Sequence, residues 1–216
     1  LANSEYGKSL LVDASQLALS LDPVVASKAG RVVEGAHAEW VEHNVVAQRG
    51  ADLFTVKVRI ELGDLHADTI DKICDLTEKF AASDIRATPD QNIVIVSVPR
   101  QNLSQLYNGL AALGLVDARY DRLSNVLACP GRSTCNLSMT SSKGLAVAIS
   151  KALDARPDLD VAGSSIKISG CPNSCGQHHI ATIGFHGVGL RAGGGKSAPF
   201  AQLMLAGGAE NGIRRM

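Results

Sequence analysis

Two pairs of cysteines are the side chains in this sequence with the clearest potential for chemistry. Cys129 and Cys135 enclose Pro-Gly-Arg-Ser-Thr, and Cys171 and Cys175 enclose Pro-Asn-Ser. A segment long enough for one helix joins the pairs, so four thiolates could close around one inorganic centre. Four cysteine thiolates are the usual ligands of an iron–sulfur cluster. The spacing therefore predicts a redox centre near the C-terminal end of the sequence.

Proline and glycine residues in and beside the two pairs favour tight ligand loops. Pro130 and Pro172 follow the first cysteine of each pair and restrict the backbone there. Gly131, Gly170 and Gly176 allow the backbone to approach closely. Backbone N–H groups could then hydrogen-bond to sulfur, a contact that tunes a metal centre.

Three other interpretations of the cysteines stay open. Structural zinc favours pairs separated by two to four residues, and the first pair here encloses five. Disulfides form in oxidising compartments, whereas residues 1–5 lack the basic and apolar regions of a secretion signal. Four inert thiols would be a coincidence in loops rich in Gly and Pro. We expect a reducing, cytoplasmic location.

Composition argues against several classes of partner. The 216 residues carry no formal net charge, so nothing favours a nucleic acid or an anionic membrane. Aromatic residues make up 4% of the chain, too few to predict stacking on bases. No apolar stretch reaches the roughly 18 residues of a transmembrane helix. A hydrophobic content of 45% predicts a folded chain of one large or two small domains.

Hydrophobic periodicity predicts a ferredoxin-like unit upstream of the cysteines. Alternating apolar residues predict a strand over Phe54–Ile60, and a helical period predicts a helix over 67–81. The pattern continues with an edge strand, a buried strand, a helix and a last strand, over Ile85–Thr88, Ile93–Val98, 103–113 and Tyr120–Leu127. This order of strands and helices is that of the ferredoxin-like split βαβ unit.

The remaining elements complete an α+β protein. Two helices are predicted ahead of the sheet, over 9–29 and 31–49. Downstream, the pattern predicts a helix and two strands, over 141–153, Ile166–Ser169 and Ile180–Phe185, and then short hairpins in a Gly-rich tail. We expect an N-terminal helical segment at 1–50, a ferredoxin-like half-domain at 51–121 and a cluster-binding domain at 122–216.

The cysteine loops also match a known signature. Cys-Pro-Gly-x₃-Cys, followed by Ile-x-Ile-Ser-Gly-Cys-Pro-Asn-Ser-Cys-Gly, resembles the cluster signature of the sirohaem-dependent nitrite and sulfite reductases. The upstream segment Ile85–Asn92 is similar to that family's Arg-x-Thr-x-x-Gln-Asn motif. The order of predicted elements also resembles the family from about residue 40 to residue 185.

The resemblance implies a fold, two cofactors and a reaction. The fold would be a ferredoxin-like half-domain followed by an α/β sirohaem and 4Fe-4S domain, the C-terminal half of a reductase. Cys129, Cys135, Cys171 and Cys175 would bind a 4Fe-4S cluster, and Cys175 would also bridge to the sirohaem iron. The reaction would be the six-electron reduction of sulfite to sulfide or of nitrite to ammonia. Further sirohaem contacts would come from Arg86, Gln91, Asn92 and Asn173.

The resemblance also implies partners. In the family, the cations that grip the anionic substrate come from the first half, which this sequence does not match. A first-half domain or subunit is therefore an expected partner, as is an electron donor, ferredoxin or a flavoprotein. Reduction of an anion needs nearby cations and proton donors. The candidates here are Arg86, Arg132, Lys167, His178 and His179.

Plainer roles stay open for several of these residues. Gln91 and Asn92 could close the turn at Pro89 through their side chains, and Asn173 could cap its own loop. Cys74, on the apolar face of a predicted helix, is expected to be a small core residue. For the whole chain, the alternatives are an enzyme like precorrin-3B synthase of cobalamin synthesis and a non-catalytic iron–sulfur electron-transfer module.

Overall fold

A computed structural model of the chain describes residues 37–49, 52–81, 84–191, 197–205, 207–210 and 213–215. The helix predicted over 9–29 lies outside these residues, as does most of the N-terminal segment predicted at 1–50. The described part contains two sheets with their helices, followed by a short two-stranded hairpin. This architecture is the α+β class predicted from the sequence.

The first sheet is antiparallel and has four strands in the order β1-β2-β4-β3. These strands are β1 (Val45–Ala47), β2 (Leu53–Val58), β3 (Asp84–Ala87) and β4 (Ile93–Pro99). In β2 the alternation predicted from the sequence holds, because Phe54, Val56 and Val58 are buried and their neighbours are only partly so. A short helix, α1 (Ala38–Asn44), leads into β1.

Two helices complete the core of this half-domain. They are α2 (Ala67–Phe80) and α3 (Leu103–Ala112), which pack against each other. Leu103, Leu106 and Leu110 lie at helical spacing on α3 and are buried in the same cluster as the strand residues. The helix predicted over 67–81 and the helix predicted over 103–113 are thus both confirmed to within one residue at each end.

The fourth strand of the half-domain is not the one predicted. Over Tyr120–Leu127 the structure has an isolated bridge at Arg122, and Leu127 alone begins a short strand of the second sheet, so the first sheet is completed by β1 instead. Residues 45–47 were expected to continue a helix. Asn44 explains the change, because its buried amide donates to the carbonyl oxygens of Lys57 (3.0 Å) and Asp117 (2.9 Å). These bonds dock the end of α1 beside β2, and β1 pairs with β2 at that edge of the sheet.

Cys74 is not a core residue. It is exposed on α2, where Ile73 and Thr77 are buried instead. Ile70, four residues before Cys74 on the same apolar face, is 46% exposed. The stripe that faces the sheet is therefore narrower than the apolar pattern of the sequence suggests.

The second sheet gathers the cysteine-bearing half of the chain. Its four strands lie in the order of the sequence and are β5 (Leu127–Ala128), β6 (Ile166–Ser169), β7 (Ile183–Arg191) and β8 (Ser197–Leu205). The first three are parallel to one another, and β8 is antiparallel to β7. Because parallel neighbours need a crossover, α4 (Ser142–Asp154) connects β5 to β6.

Other boundaries differ slightly from the prediction. The strand β7 begins at Ile183 rather than Ile180, because His178–Ile180 forms one turn of 3-10 helix. The tail does form hairpins, although β7 and β8 are nine residues each, and a last hairpin pairs β9 (Gly208–Glu210) with β10 (Ile213–Arg215). Among the helices of the described residues, none combines the length and the apolar character needed to cross a membrane.

Asn44 offers a test of this fold. Replacing it with alanine leaves the carbonyl groups of Lys57 and Asp117 without their buried donor. We expect Asn44→Ala to lower the free energy of unfolding by about 2 kcal/mol, measured by urea denaturation. Asn108→Ala, at an exposed position of α3, is the control and should change it by less than about 0.5 kcal/mol. Equal effects would contradict the role given to Asn44.

Candidate metal centre

Parallel pairing brings the two cysteine loops together. Strand β5 ends at Ala128, opposite Ile168 of β6, so the residues that follow both strands emerge at the same edge of the sheet. The ladder continues one step further, since the N–H of Cys129 donates to the carbonyl oxygen of Ile168 at 3.0 Å. Gly170 and Cys171 follow β6 directly. Sheet topology therefore places the first cysteine of each pair beside the other.

One carbonyl group holds the two loops in contact. The oxygen of Gly170 accepts the backbone N–H groups of Met139 (2.8 Å) and Thr140 (3.1 Å). It also lies 3.2 Å from the Ser138 hydroxyl and 3.4 Å from the Thr140 hydroxyl. The segment after Cys135 is thus attached to the residue before Cys171.

Glycine is required where the loops touch. A Cβ on Gly170 would lie 2.0 Å from the Ser138 Oγ and 3.2 Å from the Cα of Gly131. Gly131 itself has φ +58°, and its Cβ would lie 2.2 Å from the Ser142 Oγ. The Gly131 Cβ would also lie 2.8 Å from the backbone nitrogen of Ser142, an approach that requires the backbone to shift. The glycines predicted to allow close approach do so at this point.

The four sulfur atoms have unequal surroundings. Cys129 is buried, and its Sγ accepts the Gly170 N–H at 3.1 Å. Cys171 is half-buried, while Cys135 and Cys175 are exposed, and all four are free thiols. Across the described residues, no three His, Cys, Asp or Glu side chains converge as a single metal ion requires. A four-iron cluster makes a different demand, because each thiolate binds a different iron atom and the sulfurs stay apart.

The loop of Cys175 is fixed against β6. The N–H of Gly176 donates to the Ser169 Oγ at 3.0 Å, and the N–H of Gln177 donates to the Ser174 carbonyl at 2.7 Å. Ser174 and Gln177 both have positive φ angles, +65° and +57°, which tighten the loop. Asn173 is exposed, and within the described part of the chain its side chain makes no hydrogen bond that would cap the turn.

Histidines lie behind the same loop. His178 is buried, its Nδ1 is 2.8 Å from the Ser169 Oγ, and its ring stacks on His186 at 4.9 Å. Burial, aided by the nearby rings of His179 and His186, lowers the pKa of His178 to about 4. His179 is exposed and contacts the Ser174 Oγ at 2.9 Å. Of the two candidate histidines, His178 is buried behind the loop of Cys175, whereas His179 is exposed to solvent.

The predicted cations are mostly engaged. Lys167 lies 2.6 Å from the Asp90 Oδ1 and 2.9 Å from the Gln177 Oε1, and its side chain is only 11% exposed. Arg86 is exposed and paired with Asp84, whose hydrogen bond raises the pKa of the guanidinium. Arg132 is exposed within the first cysteine loop. Lys167 therefore joins the two halves of the structure instead of presenting a free charge.

The turn at Pro89 is closed by Thr88. Its carbonyl accepts the N–H of Gln91 (3.1 Å), and its hydroxyl accepts the N–H of Asn92 (3.2 Å). The Asn92 Oδ1 instead accepts the N–H of Ile60 at 2.7 Å, across the sheet. Neither side chain closes the turn, so that plainer interpretation is wrong. The Gln91 Oε1 and the Asn92 Nδ2 are buried without a hydrogen-bond partner in the described residues, which leaves two polar atoms available to a bound group.

Several residues of the site carry no signal in the sequence. Ser142, Ser138 and Thr140 read as ordinary polar positions near a helix start, and only the crossover from β5 to β6 brings them to the cysteines. Asp90 and Gln177 are likewise far apart in sequence from the groups they bind. A motif match would reveal Gln177 only as a neighbour of Cys175.

Comparison with known proteins identifies this architecture. Residues 46–113 match the family described as the nitrite/sulfite reductase ferredoxin-like half domain. The first sheet with its two helices is therefore the ferredoxin-like half-domain of this reductase class. The chain belongs to the nitrite and sulfite reductase family.

Similar proteins extend the match beyond that half-domain. A protein of Mycolicibacterium paratuberculosis named sulfite reductase (ferredoxin) 1 is 32% identical over 186 residues, which cover 82% of this chain and 34% of the relative. The ferredoxin–nitrite reductase of Synechococcus elongatus is 28% identical over 147 residues, covering 68% of this chain and 28% of the relative. The chain thus spans about a third of the length of the curated relatives it matches.

Solved structures share the fold. The NirA protein of Mycobacterium tuberculosis superposes with a TM-score of 0.61 at 34% identity, over 72% of this chain and 29% of that one. A dissimilatory sulfite reductase I gives a TM-score of 0.54 at 16% identity, over 65% of this chain and 34% of that one, and shows similarity of fold alone. Both structures contain an α+β unit of the kind described above.

The environment of His178 predicts a pH dependence of stability. In the unfolded chain its pKa is near 6.5, and in the folded chain it is about 4. Between these two pH values the folded chain therefore binds fewer protons than the unfolded chain. The contribution of neutral His178 to folding stability is complete above about pH 6.5 and is lost as the pH falls towards 4. We expect His178→Gln to flatten this slope in urea titrations. The same change at exposed His66 should leave the slope intact, and an unchanged slope in His178→Gln would contradict the assignment.

Proposed function

We propose that this chain is the C-terminal half of a reductase that holds a 4Fe-4S cluster and sirohaem and acts on sulfite or nitrite. The observation that carries the proposal is the convergence of two cysteine loops at one edge of a parallel sheet, with Gly131 and Gly170 at the point of contact. Cys129, Cys135, Cys171 and Cys175 are the proposed cluster ligands. Free thiols at all five cysteines of the chain fit the reducing cytoplasm that we propose as its location.

The proposed chemistry divides the work between cofactor and protein. When bound, the coupled centre supplies electrons one at a time for a six-electron reduction of the anion. The protein's part is to hold the ligand loops rigid, through the Gly170 carbonyl and the Ser169 hydroxyl, and to exclude water from Cys129. Fixed ligand geometry reduces the structural rearrangement that accompanies a change of charge.

Sirohaem contacts are proposed for the turn before β4 and for the second cysteine loop. Gln91 and Asn92 are supported by their buried, unpaired polar atoms. Lys167 and Gln177 tie this turn to the loop of Cys175, because the Gln177 Nε2 donates to the Pro89 carbonyl at 3.2 Å. Asn173, exposed beside Cys175, is free to contact a bound macrocycle.

Substrate binding is proposed to need more protein than this chain. Lys167 and Arg86 are already paired with aspartates, so neither is a free cation poised for an anion. Arg86 remains a proposed site residue because its pairing with Asp84 is exposed and exchangeable. A first-half domain or subunit would supply the other cations. The electron donor is proposed to be ferredoxin, as the names of the relatives indicate for those proteins, or a flavoprotein.

The proposed division of the chain also needs one adjustment. We place the ferredoxin-like half-domain at 51–121 and the cluster domain at 122–216, preceded by the N-terminal segment at 1–50. Strand β1 pairs with β2 of the half-domain sheet, which supports placing the first boundary upstream of Val45 rather than at residue 50. The second boundary falls in the polar segment around Asp117 and Arg122, which bonds to both halves.

Anaerobic reconstitution with iron and sulfide tests the cluster directly. We expect the broad visible absorption of an iron–sulfur protein and close to four irons and four sulfides per chain. Cys175→Ser should lower the iron content sharply because it removes a ligand. Cys74→Ser, at an exposed cysteine outside the site, is the matched control and should retain the iron of the wild type. A colourless chain that binds one zinc and no iron would refute the proposal.

Sirohaem separates the reductase from a non-catalytic electron-transfer module. The module is favoured by one observation, the engagement of Lys167 and Arg86 in ion pairs. A reductase half should retain added sirohaem through gel filtration and couple it spectroscopically to the cluster. Gln91→Ala should weaken that retention, whereas Gln105→Ala on the exposed side of α3 should not. Retention of the cluster with no affinity for sirohaem would favour the module.

Turnover by the chain alone is expected to be weak or absent. In this proposal the first half supplies most of the cations that stabilise the anion as charge develops, so the reconstituted chain should turn over slowly with a strong reductant and either sulfite or nitrite. Loss of such groups lowers rates by about 10²–10³-fold each. Adding a first-half protein of the family should restore activity. Rapid turnover by the isolated chain would show that its own side chains bind the substrate.

A further inference from the structure

The four cysteines differ in the hydrogen bonds that reach their sulfur atoms. Only Cys129 combines burial, with 7% of its surface exposed, and polar contacts at sulfur. The Gly170 N–H donates to its Sγ at 3.1 Å, and the Ser142 Oγ lies 3.4 Å from the same atom. In the ranges that the structure describes, no hydrogen bond reaches the sulfur of Cys135, Cys171 or Cys175.

The Ser142 hydroxyl lies within reach of two acceptors on Cys129, the carbonyl oxygen and the sulfur. Its Oγ lies 2.7 Å from the carbonyl oxygen of Cys129 and 3.4 Å from that residue's sulfur. The hydroxyl has a single proton, which turns towards the stronger acceptor by rotation about one bond. A thiolate carries charge and attracts a donor more strongly than a neutral carbonyl does. Metal ligation of Cys129 would therefore direct this proton to sulfur without any movement of the backbone.

The position of Ser142 strengthens that contact. It is 1% exposed and is the first residue of the 13-residue helix α4, whose N-cap is Ser141. The N-terminal turn of a helix carries partial positive charge, and exclusion of water makes hydrogen bonds in such a place electrostatically stronger. The helix end, the Ser142 hydroxyl and the Gly170 N–H all favour negative charge on one sulfur.

We infer that Ser142 is a positioning residue that donates to the Cys129 thiolate and raises the reduction potential of the cluster. The inference rests on the proposed function. One-electron reduction adds one negative charge to the cluster and its thiolates, with no bond made or broken and no proton transferred. A donor at sulfur stabilises the reduced form more than the oxidised form, which shifts the potential upwards. Cys129 is thereby the corner of the centre at which the protein accommodates added charge.

Potentiometry on the reconstituted full chain tests this role. The wild type, Ser142→Ala and Ser138→Ala are titrated at a mediated electrode, with the reduced cluster followed by electron paramagnetic resonance. Ser138 is the matched control because its hydroxyl also donates to backbone carbonyls of these loops, Thr140 at 2.8 Å and Gly170 at 3.2 Å, but does not contact sulfur. We expect a more negative midpoint potential in Ser142→Ala and an unchanged one in Ser138→Ala.

A second measurement uses the wild type alone. Pulsed resonance of the reduced cluster in D₂O should show a rapidly exchanging deuteron coupled to the cluster, as a hydroxyl proton exchanges faster than a buried N–H. Its absence, or equal potentials in Ser142→Ala and the wild type, would overturn the inference and leave the proposed function standing. Equal negative shifts in both serine variants would also overturn it. A wild-type chain that assembles no cluster would overturn both the inference and the proposed function.

Discussion

The parallel pairing of β5 with β6 is the interaction on which the rest of the site depends. Strand β5 has only two residues, Leu127 and Ala128, and a slip of one position would turn the following residue to the opposite face of the sheet. The register is secured from outside the strands, by the N–H of Cys129 on Ile168 and by the packing of α4 over the buried Ala128 and Ile168. A very short strand is therefore enough to place a cysteine within reach of the second loop.

The two halves of the structure are joined at the same place. Lys167, on β6, reaches Asp90 in the turn before β4, and Leu62 of the half-domain packs against the core of the second sheet. A second ion pair joins Lys143 at the start of α4 to Asp64. Exposed pairs of this kind contribute little to stability, but Lys167 is largely buried. Its pairing couples the position of the upstream turn to the strand that leads into Cys171.

Local sequence patterns predicted most of the helices and strands, but not which of them pack beside one another. Alternation in β2 and the helical stripes of α2 and α3 report burial directly, and the cysteine motifs report their own loops. The edge strand β1 depends on Asn44, whose bonds reach residues 13 and 73 positions away. The role of Ser142 also depends on a contact between distant parts of the sequence, because its contact with Cys129 exists only after the crossover from β5 to β6 forms. The prediction that Cys74 is a core residue is wrong for a different reason: the apolar stripe of α2 is wider than the surface available to bury it.

The four cysteines differ in their exposure to solvent, so the site has a closed side at Cys129 and an open side at Cys135 and Cys175. At Cys129 the protein supplies burial, a helix end and an N–H donor, so this corner can be completed by the chain alone. Cys135 and Cys175 are exposed residues, and a cluster bound there would meet water unless something covered it. Iron–sulfur centres are tuned by solvent exposure as well as by hydrogen bonds. In the proposed function, sirohaem beside Cys175 and the first half of the reductase provide that cover. The chain then supplies the buried, hydrogen-bonded corner of the centre at Cys129, while the exposed corners at Cys135 and Cys175 face the sirohaem and the first half.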